Sequence, residues 1–218
     1  MPPQLRCREV FPFASENLAA VTAAFASADA ASMRQAWLRQ PDADFTPATV
    51  RTGWRPNALL VFAELEDADI FTDATAPNQR MWELGDVLEI FLSPEDAAHY
   101  VEFHVTPNNL RFQLAVPNVA ALCRAQADGK LGQLLLPDGA FQSRAWVHAA
   151  KKKWFVFAEI PVSVVCGSET PLPGMRWKFS FSRYEYARGR KKPICSSTSP
   201  HARLDYHRRE EWGTLIFL

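Results

Sequence analysis

The sequence predicts a mainly β protein: an antiparallel β-sandwich of the immunoglobulin-like or jelly-roll-like type, with short helices mostly near the N-terminus. From residue 46 onward the chain consists of short runs rich in Val, Phe, Trp and Leu. Turn-forming residues separate these runs, and most of the 16 prolines fall between them. Many short strands at close spacing are typical of sandwiches and barrels, and proline is excluded from the interior of a sheet. The runs are TPATVRTGW, ALLVFAEL, DVLEIFL, YVEFHVT, LRFQLAV, SRAWVHAA, WFVFAEI, RWKFSFSRYEY and WGTLIFL.

The N-terminal segment differs from the rest because it is rich in alanine. We expect Ser15 to cap a helix that reaches Phe25, and Asp29 to cap a second helix after it. No repeat, low-complexity tract or linker divides the chain. We therefore predict a single domain over residues 1–218, with residues 1–45 as an extension packed on the sandwich.

Three segments within the β-rich part predict short helical turns. The first, residues 93–100, offers Ser93 as a capping residue and Pro94 in the first turn. The other two are residues 118–126 and 161–166.

The overall composition is that of an ordinary soluble globular protein, with 48% hydrophobic and 22% charged residues. No apolar run approaches the roughly 20 residues that a transmembrane helix needs. The opening stretch, MPPQLRCREVFPF, lacks the basic-then-apolar pattern of a secretory signal. We therefore expect no membrane partner, and a cytoplasmic location if the chain is full length.

The formal net charge is zero, but the charges are unevenly distributed. Residues 1–150 hold 11 basic and 18 acidic side chains, whereas residues 151–218 hold 13 basic and 6 acidic ones. Charge asymmetry of this size is only a hint of nucleic-acid binding. We expect the two parts to pack together and partly neutralise each other, with no nucleic-acid partner.

The common catalytic and metal-binding signatures are missing from the sequence. The four cysteines are widely spaced and form no C-x-x-C pair, which argues against a zinc ribbon or a thioredoxin-type site. Their even number permits two disulfides, but we expect free, mostly buried thiols. There is no G-x-S-x-G, P-loop or H-E-x-x-H motif.

One strand-like run contains a carboxylate that needs a partner. The apolar run from Val87 to Leu92 is interrupted only by Glu89, and a carboxylate is costly to bury alone. Strand alternation puts His104 on the same face as Glu89 if the two runs pair as a hairpin. Arg183 ends an apolar row in FSFSRYEY, so we expect it to hydrogen-bond Glu89.

Other acidic and histidine side chains near this run suggest two further kinds of site. Glu83, Asp86 and Glu89 resemble the acidic triplet of jelly-roll glycosidases, but their spacing is offset by one residue. His104 and His207 offer metal ligands together with Glu89 or Asp86, although no local ligand spacing supports a metal site.

An acidic loop lies between the second and third strand-like runs. Its sequence, ELEDADIFTD, offers Glu66, Asp67, Asp69 and Asp73 as oxygen ligands for calcium, but it lacks the EF-hand pattern. We favour solvated loop charge as the interpretation. The sequence therefore predicts no cofactor, with calcium left open.

The end of the chain, LDYHRREEWGTLIFL, is the second dense group of aromatic and charged residues. Tyr206 and His207 fall in a predicted loop, where planar side chains often serve recognition. Trp212 opens the final strand next to Gly213, and a glycine at such a position indicates close packing or a bulge. We therefore expect Trp212 in the core.

Taken together, these segments resemble the family 9 carbohydrate-binding modules and related domains, over roughly residues 50–218. Four segments carry the resemblance: ALLVFAELEDADI, then MWELGDVLEIFLSP followed by YVEFHVTPNN, then WFVFAEIPVSVV before RWKFSFSRYEY, and finally DYHRREEWGTLIFL. Their order and spacing are more specific than any one of them alone.

The resemblance implies a β-sandwich in which loops at one end clamp a sugar between two aromatic rings. Trp82 matches the first aromatic residue, and Tyr206 stands where the second, usually a tryptophan, would come. Glu89 matches the carboxylate on a strand, one residue further from Trp82 than in the family. His104 occupies the position of a polar contact to the sugar.

The sequence therefore predicts non-catalytic binding of a mono- or oligosaccharide, because sugar faces stack on aromatic rings and hydroxyls need polar partners. The predicted ligand-binding residues are Trp82, Glu89, His104, Arg183, Tyr206 and His207. Two other functions stay open. One is a glycoside hydrolase that uses Glu89 with neighbouring acidic residues such as Glu102. The other is a haem- or cofactor-binding sandwich domain with Met81 and His104 as ligands.

Overall fold

The computed structural model describes residues 1–167 and 173–218, which form two β-sheets packed against each other. The strands are β1 Gln4–Glu9, β2 Ala30–Ser32, β3 Ala48–Arg55, β4 Ala58–Glu66, β5 Val87–Pro94, β6 Tyr100–Val105, β7 Arg111–Val116, β8 Gln142–His148, β9 Lys153–Pro161, β10 Arg176–Glu185, β11 Ile194–Ser197 and β12 Gly213–Phe217. The α-helices are α1 Leu18–Ala24, α2 Val119–Ala127 and α3 Val162–Cys166. Short 3-10 turns cover Met81–Glu83, Leu131–Leu134, Ala149–Lys151 and Arg209–Glu211. The predicted mainly β sandwich is confirmed.

The two sheets are joined through the first strand. The first sheet has the order β7-β6-β5-β10-β12, with β11 beside β10, and the second has the order β3-β4-β9-β8, with β2 beside β3. Residues Gln4 to Cys7 of β1 pair with β12, and Arg8 and Glu9 pair with β3. Both pairings are parallel, whereas the neighbours within each sheet run antiparallel. The N-terminal segment thus supplies a strand to both sheets.

The main core fills the space between the inner faces of the sheets. Alternation sends Leu88 and Ile90 of β5 inward together with Phe103 of β6. Val61 and Trp154 approach them from the second sheet. Each fully buried side chain of this kind stabilises the fold by about 1.5–3 kcal/mol relative to an exposed one.

Each sheet also has a covered outer face. On the second sheet, α1 packs Val21 and Phe25 against Phe62 and Phe157. On the first sheet, a separate apolar cluster forms around Phe91 of β5, and α2 and the loop before β12 pack on it. This outer face of the first sheet carries the candidate site.

The N-terminal helix begins later than the sequence predicts. Asn17, not Ser15, caps α1, because its Oδ1 accepts hydrogen bonds from the backbone amides of residues 19 and 20 at 2.9 and 3.2 Å. The second helix predicted after Asp29 is wrong. The carboxylate of Asp29 binds Arg6 instead of capping, and the residues that follow it form β2, where Ala31 is buried between exposed neighbours.

The three later helical predictions have mixed outcomes. Helices α2 and α3 confirm two of them, and Asn118 caps α2. The helix predicted at residues 93–100 is wrong, because Ser93 still belongs to β5. Its hydroxyl donates a hydrogen bond to the carbonyl of His99 at 2.8 Å, which closes the turn into β6. Of the α-helices in the described residues, α1 alone lies near the N-terminus.

A glycine at the start of β12 permits a close approach of two strands. A Cβ atom on Gly213 would lie 2.5 Å from the ring of Phe179 and 2.7 Å from the carbonyl oxygen of Pro3. Both distances are shorter than van der Waals contact, so only glycine fits. The predicted close packing at Gly213 is confirmed.

Two other expectations concern thiols and membranes. Within the described residues all the cysteines are free, and Cys7 and Cys195 are buried as expected, whereas Cys123 is exposed. In the same part of the chain, no helix has the length and apolar character needed to cross a membrane.

Trp212→Ala should lower the free energy of unfolding by about 3–5 kcal/mol, the typical loss for a core tryptophan. The ring is fully buried, packs on Phe91 and Tyr100, and donates from Nε1 to the carbonyl of Tyr206 at 2.8 Å. Urea unfolding measures the loss. The matched control is Trp146→Ala, since Trp146 is half-buried on the edge strand β8. Equal losses in the two variants would contradict the placement of Trp212 in the core.

Candidate functional site

A cavity of about 400 Å³ lies on the outer face of the first sheet. The sheet forms its floor, and its walls are α2, the turn after α2, the 3-10 turn before β5 and the loop before β12. Aromatic, apolar and charged side chains all line it: Trp82, Tyr184, Tyr206, Leu114, Leu122, Leu131, Leu204, Glu89, Glu102, Gln126, Arg203, Asp205 and His207. The cavity size lies within the range of about 300–1,000 Å³ that small-molecule sites have.

At the floor of the cavity, two carboxylates flank one histidine. The register of β5 and β6 places Glu89 directly opposite His104, and Glu102 lies two residues before His104 on the same face. Nε2 of His104 donates to Oε1 of Glu102 at 2.6 Å and lies 3.4 Å from Oε1 of Glu89. The exposed fractions are 4%, 5% and 0% for Glu89, Glu102 and His104. The predicted hairpin with Glu89 and His104 on one face is confirmed.

The protonation of this trio follows from burial and from mutual charge. Burial raises the pKa of Glu89 to about 8. Burial also acts to raise the pKa of Glu102, but the hydrogen bond from His104 and its charge outweigh this, and the pKa falls below the ordinary value. For His104, burial lowers the pKa, yet the two glutamates raise it by more. The trio therefore favours an ionised Glu102 balanced by His104.

Trp82 forms one wall of the cavity and covers the histidine. It lies in the turn Met81–Glu83, is half-buried, and packs its ring edge-to-face on His104 and Phe112 at centroid distances of 5.4 and 5.2 Å. The hydroxyl of Tyr186 donates to the Trp82 carbonyl at 2.6 Å, which fixes the turn. Trp82 is thus partly exposed to the cavity, and His104 and Phe112 support its ring on the protein side.

The structure corrects the predicted role of Tyr206 as an exposed loop aromatic. Its side chain is only 4% exposed, and its hydroxyl donates to the carbonyl of Arg183 at 3.0 Å. The ring packs against Trp37 and Tyr184. Tyr206 therefore reaches the cavity as part of its packed lining, and the half-buried aromatic ring that accompanies Trp82 there is Tyr184.

The sequence did not identify several of the residues that line the cavity. Tyr184 was not singled out, although strand alternation in β10 places it on the face opposite Arg183. Arg203 and Asp205 form an ion pair at 3.2 Å on the loop, and no motif pointed to them. Gln126 comes from α2, whose position over the sheet is a tertiary feature.

The loop before β12 is held in place by Glu211. Its carboxylate accepts hydrogen bonds from Arg208 at 2.9 Å and from the backbone amide of Ala202, and it lies 3.1 Å from Nδ1 of His201. At the same loop, Nδ1 of His207 lies 2.8 Å from the hydroxyl of Tyr100 on β6. His207 therefore lines the cavity.

The predicted hydrogen bond between Glu89 and Arg183 is wrong. In β10 the residue paired with Glu89 is Ser182, so the side chain of Arg183 points to the opposite face of the sheet. Arg183 is fully buried there and forms ion pairs with Asp67 at 3.3 Å and Glu185 at 3.0 Å. It therefore stabilises the sandwich and does not reach the cavity.

The acidic triplet is not brought together. Glu83 is exposed and forms an ion pair with Arg80 at 2.9 Å. Asp86 is buried and accepts hydrogen bonds from the backbone amides of Phe71 and Tyr186, both at 2.7 Å. Only Glu89 of the three lines the cavity, so the triplet gives no support to the hydrolase alternative.

The aspartates considered as calcium ligands lie in different environments. Asp67 is buried with Arg183, Asp69 pairs with Arg188, and Asp73 is exposed. In the described part of the chain they do not form a group of converging ligands.

The two residues considered as haem ligands already have other contacts. Met81 packs in the apolar cluster under the cavity, and Nε2 of His104 is hydrogen-bonded to Glu102.

Comparison with known proteins finds no matching family model. A protein of Arthroderma benhamiae named "Extracellular protein" is 27% identical over 145 residues. The match covers 64% of this chain and 64% of that protein, so the chain spans less than two thirds of the length of this relative.

Three solved structures share the fold over almost the whole chain. One is a protein of Bacteroides uniformis assigned to carbohydrate binding, with a TM-score of 0.74, 18% identity and coverage of 100% of both chains. The others are family 9 carbohydrate-binding modules from Caldicellulosiruptor kristjanssonii, both 16% identical. The complex with cellotriose has a TM-score of 0.68 and coverage of 99% and 93%, and the complex with glucose has 0.65, with 99% and 96%. The fold implied by the sequence resemblance is thus confirmed.

Arg183→Met should lower the free energy of unfolding by about 3–5 kcal/mol, because it leaves the buried carboxylates of Asp67 and Glu185 without their cation. Urea unfolding at neutral pH measures the loss. The matched control is Arg188→Met, which removes an exposed arginine paired with Asp69 and should cost at most about 1 kcal/mol. A loss no larger than in this control would show that the buried ion pairs are dispensable.

Glu211→Gln should reduce stability in a pH-dependent way. Hydrogen bonds, first of all from Arg208, lower the pKa of Glu211 from 4.5 to about 2. A carboxyl group with a lowered pKa in the folded state contributes stability above its unfolded pKa and loses it as the pH falls through the folded value. The difference in unfolding free energy between the native chain and the variant should therefore be largest above about pH 5 and should shrink as the pH falls towards about 2.

Denaturant unfolding at a series of pH values measures this difference. Glu210→Gln is the control, since Glu210 is exposed on the same turn. A difference between the native chain and Glu211→Gln that stays constant with pH would contradict the role assigned to the ionised carboxylate.

Proposed function

We propose that this chain is a non-catalytic carbohydrate-binding module and that the cavity on the first sheet binds a mono- or short oligosaccharide. The observation that carries the proposal is the combination, in one cavity, of half-buried aromatic rings with buried carboxylate oxygens. Sugars present both apolar C–H faces and hydroxyl groups, so a sugar site needs both kinds of wall. The likeness in fold to carbohydrate-binding modules supports the same proposal.

The apolar wall would take a face of the sugar ring. Trp82 and Tyr184 offer aromatic surface to the cavity, and Leu114, Leu122 and Leu131 continue the apolar lining. Removal of apolar surface from water is favourable by about 25 cal/mol per Å². In this proposal Trp82 is the principal stacking platform, because its ring is rigidly backed by His104 and Phe112.

The polar groups would bind the hydroxyls. Carboxylate oxygens of Glu89 and Glu102 at the cavity floor accept hydrogen bonds from hydroxyl donors. Asp205 and His207 offer further partners on the loop, and Gln126 does so from α2. His104 acts indirectly, since it orients the two carboxylates from beneath.

The volume of the cavity limits the size of the ligand. A volume of about 400 Å³ with the sheet as its closed end suits one or two sugar rings, with any further rings extending into solvent. The solved structures of similar fold include complexes with glucose and cellotriose, so these two sugars are the first ligands to test.

Isothermal titration calorimetry with glucose and cellotriose should give saturable binding to the native chain, and Trp82→Ala should weaken it by about 1–3 kcal/mol, by analogy with aromatic stacking on bases. The matched control is Trp146→Ala, which removes a half-buried tryptophan from the second sheet and should leave the affinity unchanged. A panel of pentoses, hexoses and their disaccharides extends the search for the preferred sugar.

Two results would contradict the proposal. One is the lack of saturable binding to every sugar of the panel. The other is an equal loss of affinity in Trp82→Ala and Trp146→Ala, because binding would then not depend on the cavity.

A further inference from the structure

We propose that Glu89, Glu102 and His104 form a binding site for one divalent transition-metal ion of the Zn²⁺ type at the floor of the cavity. This inference goes beyond sugar binding and concerns the chain in the absence of any sugar. It rests on the convergence of three buried donor groups of the right chemistry, on an unsatisfied carboxylate oxygen among them, and on the cavity above them.

The donor atoms are positioned by the backbone. Because Glu89 and His104 are paired across β5 and β6, and Glu102 shares the face of His104, all three side chains converge on one point of the sheet. Their potential ligand atoms lie within 4.8 Å of one another. Among the described residues, no other group of three His, Cys, Asp or Glu side chains converges in this way.

The distances fit a small ion. Zinc is bound at about 2.0–2.2 Å by nitrogen and oxygen in tetrahedral geometry, which places neighbouring donor atoms about 3.4 Å apart. Nε2 of His104 is already 3.4 Å from Oε1 of Glu89. The shorter separation of 2.6 Å to Glu102 is a hydrogen bond. Metal binding would replace its proton, and the Glu102 carboxylate would withdraw by less than an ångström.

One oxygen of the trio has no partner within the described residues. Oε2 of Glu102 is buried and accepts no hydrogen bond there, although Glu102 lines the cavity. A buried acceptor without a partner costs about 1–3 kcal/mol, and more when it is charged. A cation bound to the Glu102 carboxylate would neutralise the charge that its two oxygens share and so lower this cost.

Charge balance permits a divalent ion that displaces the two protons held by Glu89 and His104 in the metal-free trio. Two buried carboxylates carry up to two negative charges, and buried charges are stable only when they are paired. A divalent ion with a neutral histidine neutralises both glutamates. Each carboxylate bound through one oxygen keeps its second oxygen as an acceptor, so the site is compatible with hydroxyl binding in the cavity.

The donor set selects the kind of metal. Calcium takes six to eight oxygen ligands, and magnesium requires octahedral oxygen ligands and keeps its waters. Imidazole with carboxylates suits zinc and its neighbours in the first transition row. With His104 beneath and the two glutamates at the cavity floor, three protein ligands leave a fourth position that faces the cavity.

The test is a calorimetric titration of the chelator-treated full chain with ZnCl₂, without sugar. We expect one ion per chain and, at the same concentration, no binding of CaCl₂ or MgCl₂. Glu102→Gln and Glu89→Gln, which preserve side-chain shape, should each weaken zinc binding by at least about tenfold, the lower bound seen when groups that merely support a ligand are changed. Glu83→Gln is the matched control, because Glu83 is exposed beside Trp82. This variant should bind zinc with the affinity of the native chain.

Thermal unfolding gives a second measurement that also checks folding. Zinc should raise the melting temperature of the native chain and of Glu83→Gln, since an ion that binds only the folded state stabilises it. The rise should be smaller in both cavity variants, because each binds zinc more weakly. If Glu102→Gln fails to unfold cooperatively, Glu89→Gln carries the comparison.

The proposal is overturned if zinc does not bind, if calcium binds equally well, or if the cavity variants bind zinc as tightly as Glu83→Gln does. Because sugar is left out, none of these results bears on the proposed sugar binding.

Discussion

The pairing of β5 with β6 and β10 determines both faces of the first sheet. Side chains alternate along a strand, so the register that sends Leu88 and Ile90 into the core also sends Glu89 to the outer face, opposite His104. A slip of one residue would exchange the two sets and bury a carboxylate among the apolar side chains of the core. The cost of that exchange fixes the register, and the register in turn fixes the cavity floor.

The same strands separate two groups of buried charges by the thickness of the sheet. On the inner side, Arg183 is surrounded by Asp67 and Glu185 and is closed off from solvent. On the outer side, His104 lies between Glu89 and Glu102 beneath an open cavity. The first group pairs its arginine with carboxylates inside the fold. The second leaves an oxygen unpaired beside the cavity, where a ligand can reach it.

Local patterns predicted the strands and the face of Glu89 because both depend on alternation within a few residues. They also predicted Trp212 in the core and helices α2 and α3. The partner of Arg183 was missed because it depends on which residue of β10 lies beside Glu89, and sequence does not give the register of strands about 90 residues apart. Tyr206 was taken as exposed because a loop position says nothing about what packs over it. The second N-terminal helix failed because pairing with β3 outweighed the helix propensity of alanine.

The position of β1 has a consequence for how the chain acquires its structure. Gln4 pairs with Thr214, and Arg8 pairs with Gly53, so β1 lies beside β12, which is synthesised much later. Contacts between residues so distant in sequence slow folding, because the entropy of closing the loop is lost before the contact is gained. Until β12 has left the ribosome, β10 and the first half of β1 lack the strand that lies between them. During translation the strands of the second sheet, which end with β9, are therefore all present before those of the first sheet. The cavity, which depends on the loop before β12, is completed late.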